Sequence, residues 1–206
     1  MVQNRLLETA IREFGAKGRD GASTRDIAAA AGTAMSSITY HFGGKDGLYL
    51  AAADHLAERM GELIEDLAIE DTIAAADPDA ATDMLCEILC RMVDKVTHSD
   101  AEGMFIVREQ MNPTEAFDRI YETQMGRFWS QMTELVRIVI DRPAKRECRI
   151  VALTLFGQAI VVRTMRAGFE RLIEAPVSDP DVIEQIKSEI VANAKAILTS
   201  RREQAA

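Results

Sequence analysis

Apolar residues recur at helical spacing along nearly the whole chain, and proline or glycine interrupts the pattern at intervals. Alternating runs of β-branched residues are absent, whereas Ala, Leu, Glu, Arg and Met are plentiful. In residues 3–17, for example, Leu6, Ala10 and Phe14 share one helix face, and charged side chains lie outside it. The sequence therefore predicts an all-α fold in which each helix buries one face.

Prolines and glycines divide this pattern into nine predicted helices. Proline disfavours helix at the residue before it and suits a first helical turn, so Pro78, Pro113 and Pro143 mark boundaries. Gly43-Gly44 separates a short helix from a much longer one. We predict helices over residues 3–17, 25–31, 36–42, 45–69, 79–98, 101–111, 114–141, 144–171 and 179–200.

The formal net charge of −9 over 206 residues is unevenly distributed. Residues 1–47 carry six Lys/Arg and five Asp/Glu, whereas residues 48–206 carry 18 and 28. The acidic total argues against a chain that coats itself in nucleic acid, because phosphate binding requires cations. The near-neutral opening segment is electrically different, and we predict one domain over 1–47 and a second over 48–206.

Several classes of protein are disfavoured by composition. No window approaches about 18 uninterrupted apolar residues, and the first residues carry charges where a signal peptide needs an apolar stretch. Cys86 and Cys90 lie four residues apart, which favours two buried thiols on one helix face over a metal or redox pair. His41, His55 and His98 are widely scattered. We expect a cytoplasmic protein with no membrane partner and no metal site.

The stretch TRDIAAAAGTAMSSITYHF, residues 24–42, carries the strongest functional signal. Ser23 or Thr24 can cap a short helix, with Asp26 in the first turn, where the helix dipole favours an anion. Gly32 can take a positive φ at the following turn, and a second short helix comes after it. A short helix, a turn with glycine and another short helix form a helix-turn-helix pattern.

The second short helix presents small and hydrogen-bonding side chains on its outer face. These groups suit contacts with base edges, thymine methyls and phosphates. Lys45 opens the next helix, where a cation is unfavourable for the dipole and a bound phosphate would reverse that penalty. For Tyr40 and His41 the alternative is a half-buried aromatic and a helix-capping histidine.

Three stretches, RLLETAIREFGAKG, TRDIAAAAG and ITYHFGGKDGLYLAA, make the first 50 residues resemble the DNA-binding domain of TetR-type transcriptional regulators. The resemblance implies an all-helical homodimer with a three-helix DNA-binding head and a larger C-terminal ligand domain. Gly43-Gly44 departs from the usual pattern, and we expect it to make the linker flexible. The implied DNA contacts are Thr24 and Arg25 to the backbone, Met35, Ser36, Ser37 and Thr39 in the recognition helix, and Tyr40, His41 and Lys45 to phosphates.

The stretch REQMNPTEAFDRIYE and the later LFGQAIVVR helix are similar to the CecR-like subgroup of that family. This part of the chain is also rich in aromatic and methionine side chains with few polar groups, as in small-ligand sites. Ordinary helical core is the alternative, and Arg108 with Glu109 can equally form an exposed pair of little energetic value. The candidate ligand-binding residues are Phe105, Arg108, Glu109, Met111, Phe117, Tyr121, Met125 and Trp129.

Two C-terminal segments are predicted to pair between subunits. Residues 150–169 are apolar nearly all round, and Gly157 and Ala159 would allow close approach of a partner helix. Residues 182–198 add a second apolar stripe, so two helices from each subunit would form an isologous four-helix interface. The alternative is that both helices cap a monomeric core. A dimer also suits DNA recognition, because its two recognition helices can enter successive major grooves, which lie roughly 34–36 Å apart or a multiple of that distance.

These features together predict a ligand-responsive repressor that binds palindromic operator DNA as a homodimer. An unidentified small molecule would shift the population towards a different orientation of the 45–69 helix and separate the heads. A ligand-independent DNA-binding protein is one alternative, although it would leave the acidic domain over residues 48–206 without a ligand to bind. A helical-bundle enzyme is disfavoured, because Glu-x-x-His pairs, the P-loop and the nucleophile elbow are absent from the sequence. No cofactor is expected.

Overall fold

A computed structural model describes residues 2–62, 64–98, 101–141 and 145–204 of the chain. Within these ranges the secondary structure is helical and contains no strand, which confirms the predicted all-α fold. The predicted separators at Ser99-Asp100 and Arg142-Pro143 lie outside the described residues.

Most predicted helices are present, some with shifted ends. The first seven are α1 (Val2–Gly21), α2 (Thr24–Ala30), α3 (Met35–Phe42), α4 (Lys45–Gly61), α5 (Ile69–Ala75), α6 (Pro78–His98) and α7 (Ala101–Met111). The chain continues with α8 (Glu115–Ile120), a π-helical turn (Tyr121–Met125), α9 (Gly126–Ile140), α10 (Lys145–Thr164), α11 (Arg166–Ile173) and α12 (Pro180–Glu203).

Residues 1–62 and 99–126 form one compact unit, here called the first unit. Its centre contains three aromatic rings, with Tyr49 stacked on Phe105 and set edge-on to Phe14, each at a centroid distance of 4.8 Å. Helices α1 and α7 pack closely at Gly15, where a Cβ atom would lie 2.1 Å from the Ala101 carbonyl oxygen. Glycine at this position is therefore required by the approach of the two backbones.

Residues 63–98 and 127–206 form the second unit, which has its own hydrophobic core. Helix α6 packs against α10 and α12 in this unit. Leu85 and Leu89 of α6, Leu135 of α9 and Leu155 of α10 are all fully buried in it. The domain boundary predicted at residue 47 stays a prediction, and by packing alone α4, α7 and α8 group with the first three helices.

The helix predicted over 45–69 ends at Gly61, and a separate short helix, α5, follows it. Glycine is among the weakest helix formers, so Gly61 favours an end at that point. Glu70 and Asp71 lie in the first turn of α5, where negative charge is favourable. The predicted helix continues through Gly61 to residue 69, and no helix is predicted over residues 70–75, so the end of α4 is misplaced and α5 is missed.

Two longer predicted helices are irregular. A π-helical turn joins α8 to α9 within the predicted 114–141 helix, and the N–H of Gly126 donates to the Tyr121 carbonyl across five residues. The predicted 144–171 helix breaks at Met165, where α10 and α11 meet at a bend of 81°. Met165 itself takes φ −110° and ψ 18°, outside the helical range.

The two predicted pairing segments differ in what they leave on the surface. Five apolar residues of α12 are buried in the second unit's own core, namely Ile183, Ile186, Ile190, Ala194 and Leu198, whereas Val182, Val191 and Ile197 are half-buried against it. The pairing predicted through residues 182–198 stays a prediction. In contrast, α10 and the bend after it expose Ile150 (54%), Leu153 (58%), Val161 (40%) and Met165 (61%). The described residues thus leave an apolar stripe on α10 uncovered.

No described helix is by itself long and apolar enough to cross a membrane. Only α10 and α11 taken together reach the required length and composition, and they are sharply bent where they join.

Candidate nucleic-acid interface

The helix-turn-helix begins where α1 ends. Gly18 interrupts α1 with a non-helical conformation (φ 75°, ψ 168°). The regular part of α1 therefore ends close to residue 17, where the sequence predicts the end of the first helix. The hydroxyl of Ser23 then accepts a hydrogen bond from the Asp26 N–H, so Ser23 is the cap of α2. Gly32 takes a φ of 64° in the turn before α3, which confirms its predicted role.

Within helix α3, Ile38 is the one fully buried side chain. Ile27 and Ala28 of α2 are buried beside the core of α1, and Phe42 at the end of α3 is half-buried. The hydroxyls of Thr33 and Ser37 lie 3.0 Å apart and tie the turn to the first half of α3. The rest of α3 therefore faces outwards.

Most of the predicted DNA contacts are on this open face. Tyr40 is 85% exposed and its ring lies edge-on to that of His41, so the half-buried alternative for Tyr40 is wrong. Thr24, Ser37 and Lys45 are half-buried, whereas Arg25, Met35, Ser36, Thr39, Tyr40 and His41 are exposed. The contacts themselves stay predictions, since exposure shows only that these groups are available to a ligand.

The Gly43-Gly44 link, which we expected to be flexible, has a specific conformational requirement. Gly43 has a φ of 73° and Gly44 a φ of 127°, backbone angles that residues with a Cβ rarely adopt. Gly43 also closes α3, and its N–H donates to the Thr39 carbonyl. This link therefore sets the angle between α3 and α4 through two residues with positive φ.

Lys45 begins α4 beside Asp46, a group that our sequence-based prediction overlooked. The Lys45 Nζ donates to the Asp20 carbonyl at 3.3 Å, and Asp46 pairs with Arg19 at 2.8 Å. Asp46 supplies the negative charge that a helix N-terminus favours, which offsets the penalty expected for Lys45. The signal was available, because Asp46 follows Lys45 directly in the sequence.

Substituting Gly47 by alanine is expected to destabilise the head. A Cβ atom there would lie 1.8 Å from the Phe42 carbonyl oxygen, so α4 would have to move away from the end of α3. We expect a loss of about 1–3 kcal/mol in the free energy of unfolding, as for other overpacked sites, despite the better helix propensity of alanine. Chemical denaturation monitored by circular dichroism measures the change.

Gly21→Ala is the matched control, because a Cβ at Gly21 would meet the nearest atom, Lys17 Cβ, at an ordinary 3.5 Å. We expect this variant to unfold within about 0.5 kcal/mol of the wild type. Equal stabilities for the two variants would contradict the close packing of α3 on α4.

The eight candidate ligand residues do not share one environment. Seven lie in the first unit, whereas Trp129 lies in the second, where its ring packs edge-on to those of Phe128 and Phe156. Phe105 and Met125 are buried, Phe117 is half-buried, and Met111 (75%) and Tyr121 (46%) are exposed. A ligand site formed by these residues stays a prediction.

Arg108 and Glu109 are not the exposed pair that the sequence left open. Glu109 is only 2% exposed, and its carboxylate accepts a 2.6 Å hydrogen bond from the Tyr49 hydroxyl. Arg108 donates from Nε to the Gly15 carbonyl and from Nη2 to the Ala16 carbonyl, both at 3.0 Å. Both side chains therefore bind groups of the first unit. Local sequence spacing does not predict these partners, because they lie far away in the chain.

The cysteines agree with the interpretation as structural thiols. Cys86 is buried and Cys90 half-buried, both free, and burial raises the pKa of each thiol above its ordinary value. Thiols with raised pKa values carry little nucleophilic thiolate at neutral pH. Across the described residues, no group of three or more His, Cys, Asp or Glu side chains is arranged to hold a metal ion.

Two family models match the chain. Residues 79–200 match the model described as the C-terminal domain of the HTH-type transcriptional dual regulator CecR. Residues 6–52 match the model of the tetR family of bacterial regulatory proteins. The two matches include both the helix-turn-helix and most of the second unit.

Curated relatives are similar over part of their length. The dual regulator CecR of Shigella flexneri is 34% identical over 141 residues, which are 66% of this chain and 63% of that protein. The repressor AcnR of Corynebacterium glutamicum is 39% identical over 61 residues, 30% of this chain and 32% of that one. The chain thus covers less than two thirds of either relative.

Solved structures share the fold over nearly the whole chain. AibR, in complex with isovaleryl coenzyme A and operator DNA, gives a TM-score of 0.70 at 18% identity and covers 93% of this chain and 96% of its own. SCO4454, a TetR-family regulator from Streptomyces coelicolor, gives 0.65 at 20% identity and covers 98% and 96%. At these identities the likeness establishes the fold alone.

Proposed function

The chain belongs to the TetR family of bacterial transcriptional regulators and carries a CecR-type C-terminal domain, and from this premise we propose that it is a repressor released from operator DNA by a small molecule. The outer face of α3 carries the proposal. Its exposed side chains combine hydroxyls, an aromatic ring and an imidazole on a helix that contributes little else to the core. Such a helix is suited to enter the major groove.

The charge distribution supports one orientation on the duplex. The first 47 residues are near neutral, and the remaining chain has an excess of ten acidic groups. DNA repels that acidic body, which disfavours sideways binding, so affinity has to come from a few placed contacts in each head. The proposed backbone contacts are Thr24 and Arg25, and the proposed phosphate contacts are Tyr40, His41 and Lys45.

Two half-sites require two heads, and the uncovered apolar stripe of α10 supports a homodimer. Its exposed residues recur at helical spacing, as in a helix that packs against a partner helix. Gly157 lies between them, and a Cβ atom at this position would have no neighbour within 4 Å, which leaves room for close approach. We place the dimer interface on residues 150–169, with the outer surface of 182–198 beside it.

The proposed response to a ligand rests on the match of residues 79–200 to the C-terminal domain of CecR. AibR holds an acyl-CoA and operator DNA on the same fold. For this chain we propose a small, mostly apolar effector bound among the helices of the C-terminal body, acting in the cytoplasm. The effector must bind the non-operator conformation more tightly by a few kcal/mol to release the DNA, as is typical of allosteric coupling.

The test is a binding titration of the full-length chain against labelled DNA from the region upstream of its own gene. At low salt we expect sequence-selective binding at least about a thousandfold tighter than binding to unrelated DNA. Repeating the titration with a small-molecule library should identify compounds that release the DNA, and a true effector also raises the melting temperature.

Shuffled DNA of the same composition is the control for sequence selectivity. Equal affinity for both DNAs would contradict the proposal. Selective binding that no compound reverses or stabilises would instead favour the ligand-independent alternative.

A further inference from the structure

Glu109 of α7 is a buried carboxylate at the junction of three helices. Its Oε1 accepts from the Tyr49 hydroxyl of α4, and its Oε2 accepts from the N–H and hydroxyl of Thr114 and from the Phe117 N–H. These distances run from 2.6 to 3.1 Å, and Thr114 is the cap of α8. One side chain therefore joins α7 to α4 and to the beginning of α8.

The hydrogen bonds of Glu109 make this junction stiff. All four donors are neutral, and the carboxylate is nearly inaccessible to water. Separating α4 from α7 would leave a buried charge with fewer partners, which is costly. Burial and then the hydrogen bond to Glu109 raise the pKa of Tyr49 above its ordinary value, so its hydroxyl stays protonated and donates.

Tyr49 connects this junction to the recognition helix. It lies one helical turn after Lys45, and the intervening Gly47 packs directly on the last carbonyl of α3 at Phe42. The guanidinium of Arg19 lies 5.8 Å from the centre of the Tyr49 ring and pairs with Asp46. The position of Tyr49 therefore fixes the first turns of α4 and, through them, the end of α3.

Arg108, the neighbour of Glu109, holds the other helix that flanks the helix-turn-helix. Its two hydrogen bonds go to carbonyls at the end of the regular part of α1, just before Gly18. Backbone carbonyls at a helix end lack partners in the helix, and a cation there is favourable. Two adjacent side chains of α7 thus hold α1 and α4.

We propose that Arg108 and Glu109 form a clamp that positions the recognition helix. The Glu109 carboxylate fixes the position of α4 through its hydrogen bond with Tyr49. Neither residue touches DNA in this scheme, and both act through the helices that they hold. The inference deepens the proposed function and rests on it, because it assigns to α7 the control of head placement. It also gives both residues a role other than the predicted binding of the effector.

The test compares Tyr49→Phe with the wild type in the full-length protein. Removing only the hydroxyl should weaken binding to the upstream DNA about tenfold, since hydrogen bonds to charged groups are among the strong ones. Amide hydrogen exchange should rise in α3 and in the first turns of α4. Val93→Ala, in the buried core of the second unit, is the control for a loss of stability alone, and it should change neither readout.

A second variant tests whether Tyr49 acts through Glu109. Glu109→Leu removes both acceptor oxygens and leaves the N–H groups of Thr114 and Phe117 without their acceptor, so we expect weaker DNA binding than for Tyr49→Phe. The double variant should bind no more weakly than Glu109→Leu alone, because both changes remove the contact between Tyr49 and Glu109. Additive losses would overturn the inference, as would wild-type exchange in α3 and α4 of Tyr49→Phe.

The two proposals fail in different ways. If the wild type shows no sequence-selective binding, the proposed function fails, and the exchange data still decide whether the clamp holds α3 and α4. If the wild type binds selectively and Tyr49→Phe binds equally well, the repressor proposal stands and the positioning role is overturned.

Discussion

Replacing Leu153 with glutamate is expected to dissociate the proposed dimer and to weaken binding to the proposed operator at least about a thousandfold, because a monomer reads only one half-site. Leu153 is 58% exposed on α10, in line with Ile150 and Val161. In the proposed interface it would be covered by the partner, and an unpaired carboxylate there would be costly to bury. Since the side chain is exposed within one subunit, the monomer should still fold.

Sedimentation analysis gives the mass of the Leu153→Glu variant, and fluorescence anisotropy with the operator gives its affinity. Ala74→Glu is the matched control, since it adds the same charge at an exposed position of α5. We expect this control to remain dimeric and to bind like the wild type. A dimeric Leu153→Glu variant with unchanged affinity would place the interface elsewhere.

The second large effect is expected for the double variant Tyr40→Ala with Lys45→Ala. It removes an exposed aromatic and the cation at the start of α4 from both heads of a dimer, and we expect about a hundredfold loss of operator affinity. Each lysine–phosphate contact contributes about 0.9 to the slope of log affinity against log salt, so losing two reduces the slope by about 2.

Thermal stability separates lost contacts from damage to the fold. Tyr40 is mostly exposed, and Lys45 makes one 3.3 Å hydrogen bond to the Asp20 carbonyl, so the melting temperature should change little. Lys17→Ala is the control, because it removes a positive charge from the same head at a residue that pairs with Glu13. Wild-type affinity and slope in the double variant would show that the two residues do not contact phosphates.

The helix-turn-helix could be predicted because its signals are local. Ser23, Gly32 and the apolar spacing of α2 and α3 each specify backbone geometry within a few residues. The end of α4 was equally local, and Gly61 followed by the acidic turn at Glu70 would have indicated it. The break at Met165 was harder to predict, because neither proline nor glycine lies at residues 164–166.

The polar junction of the first unit could not be predicted from spacing. Glu109 and Tyr49 are 60 residues apart, and Arg108 and Gly15 are 93 apart. On the sequence, an arginine beside a glutamate in an amphipathic helix looks like a solvated pair. Their roles depend on which helices meet in three dimensions. The same applies to Trp129, which follows the candidate ligand residues in sequence but packs in the other compact unit.

The exposure of most α3 side chains has a consequence for how the proposed DNA specificity can change in evolution. Five of the eight residues of α3 are exposed, two are half-buried, and only Ile38 is fully buried. Exposed helix positions tolerate substitution at little cost in stability. The outward positions of α3 can therefore be exchanged as a block while Ile38, Phe42 and the two glycines after it are kept. Duplicated copies of this chain can thus diverge in the proposed DNA-binding face of α3 while the fold and the proposed effector-binding domain stay the same.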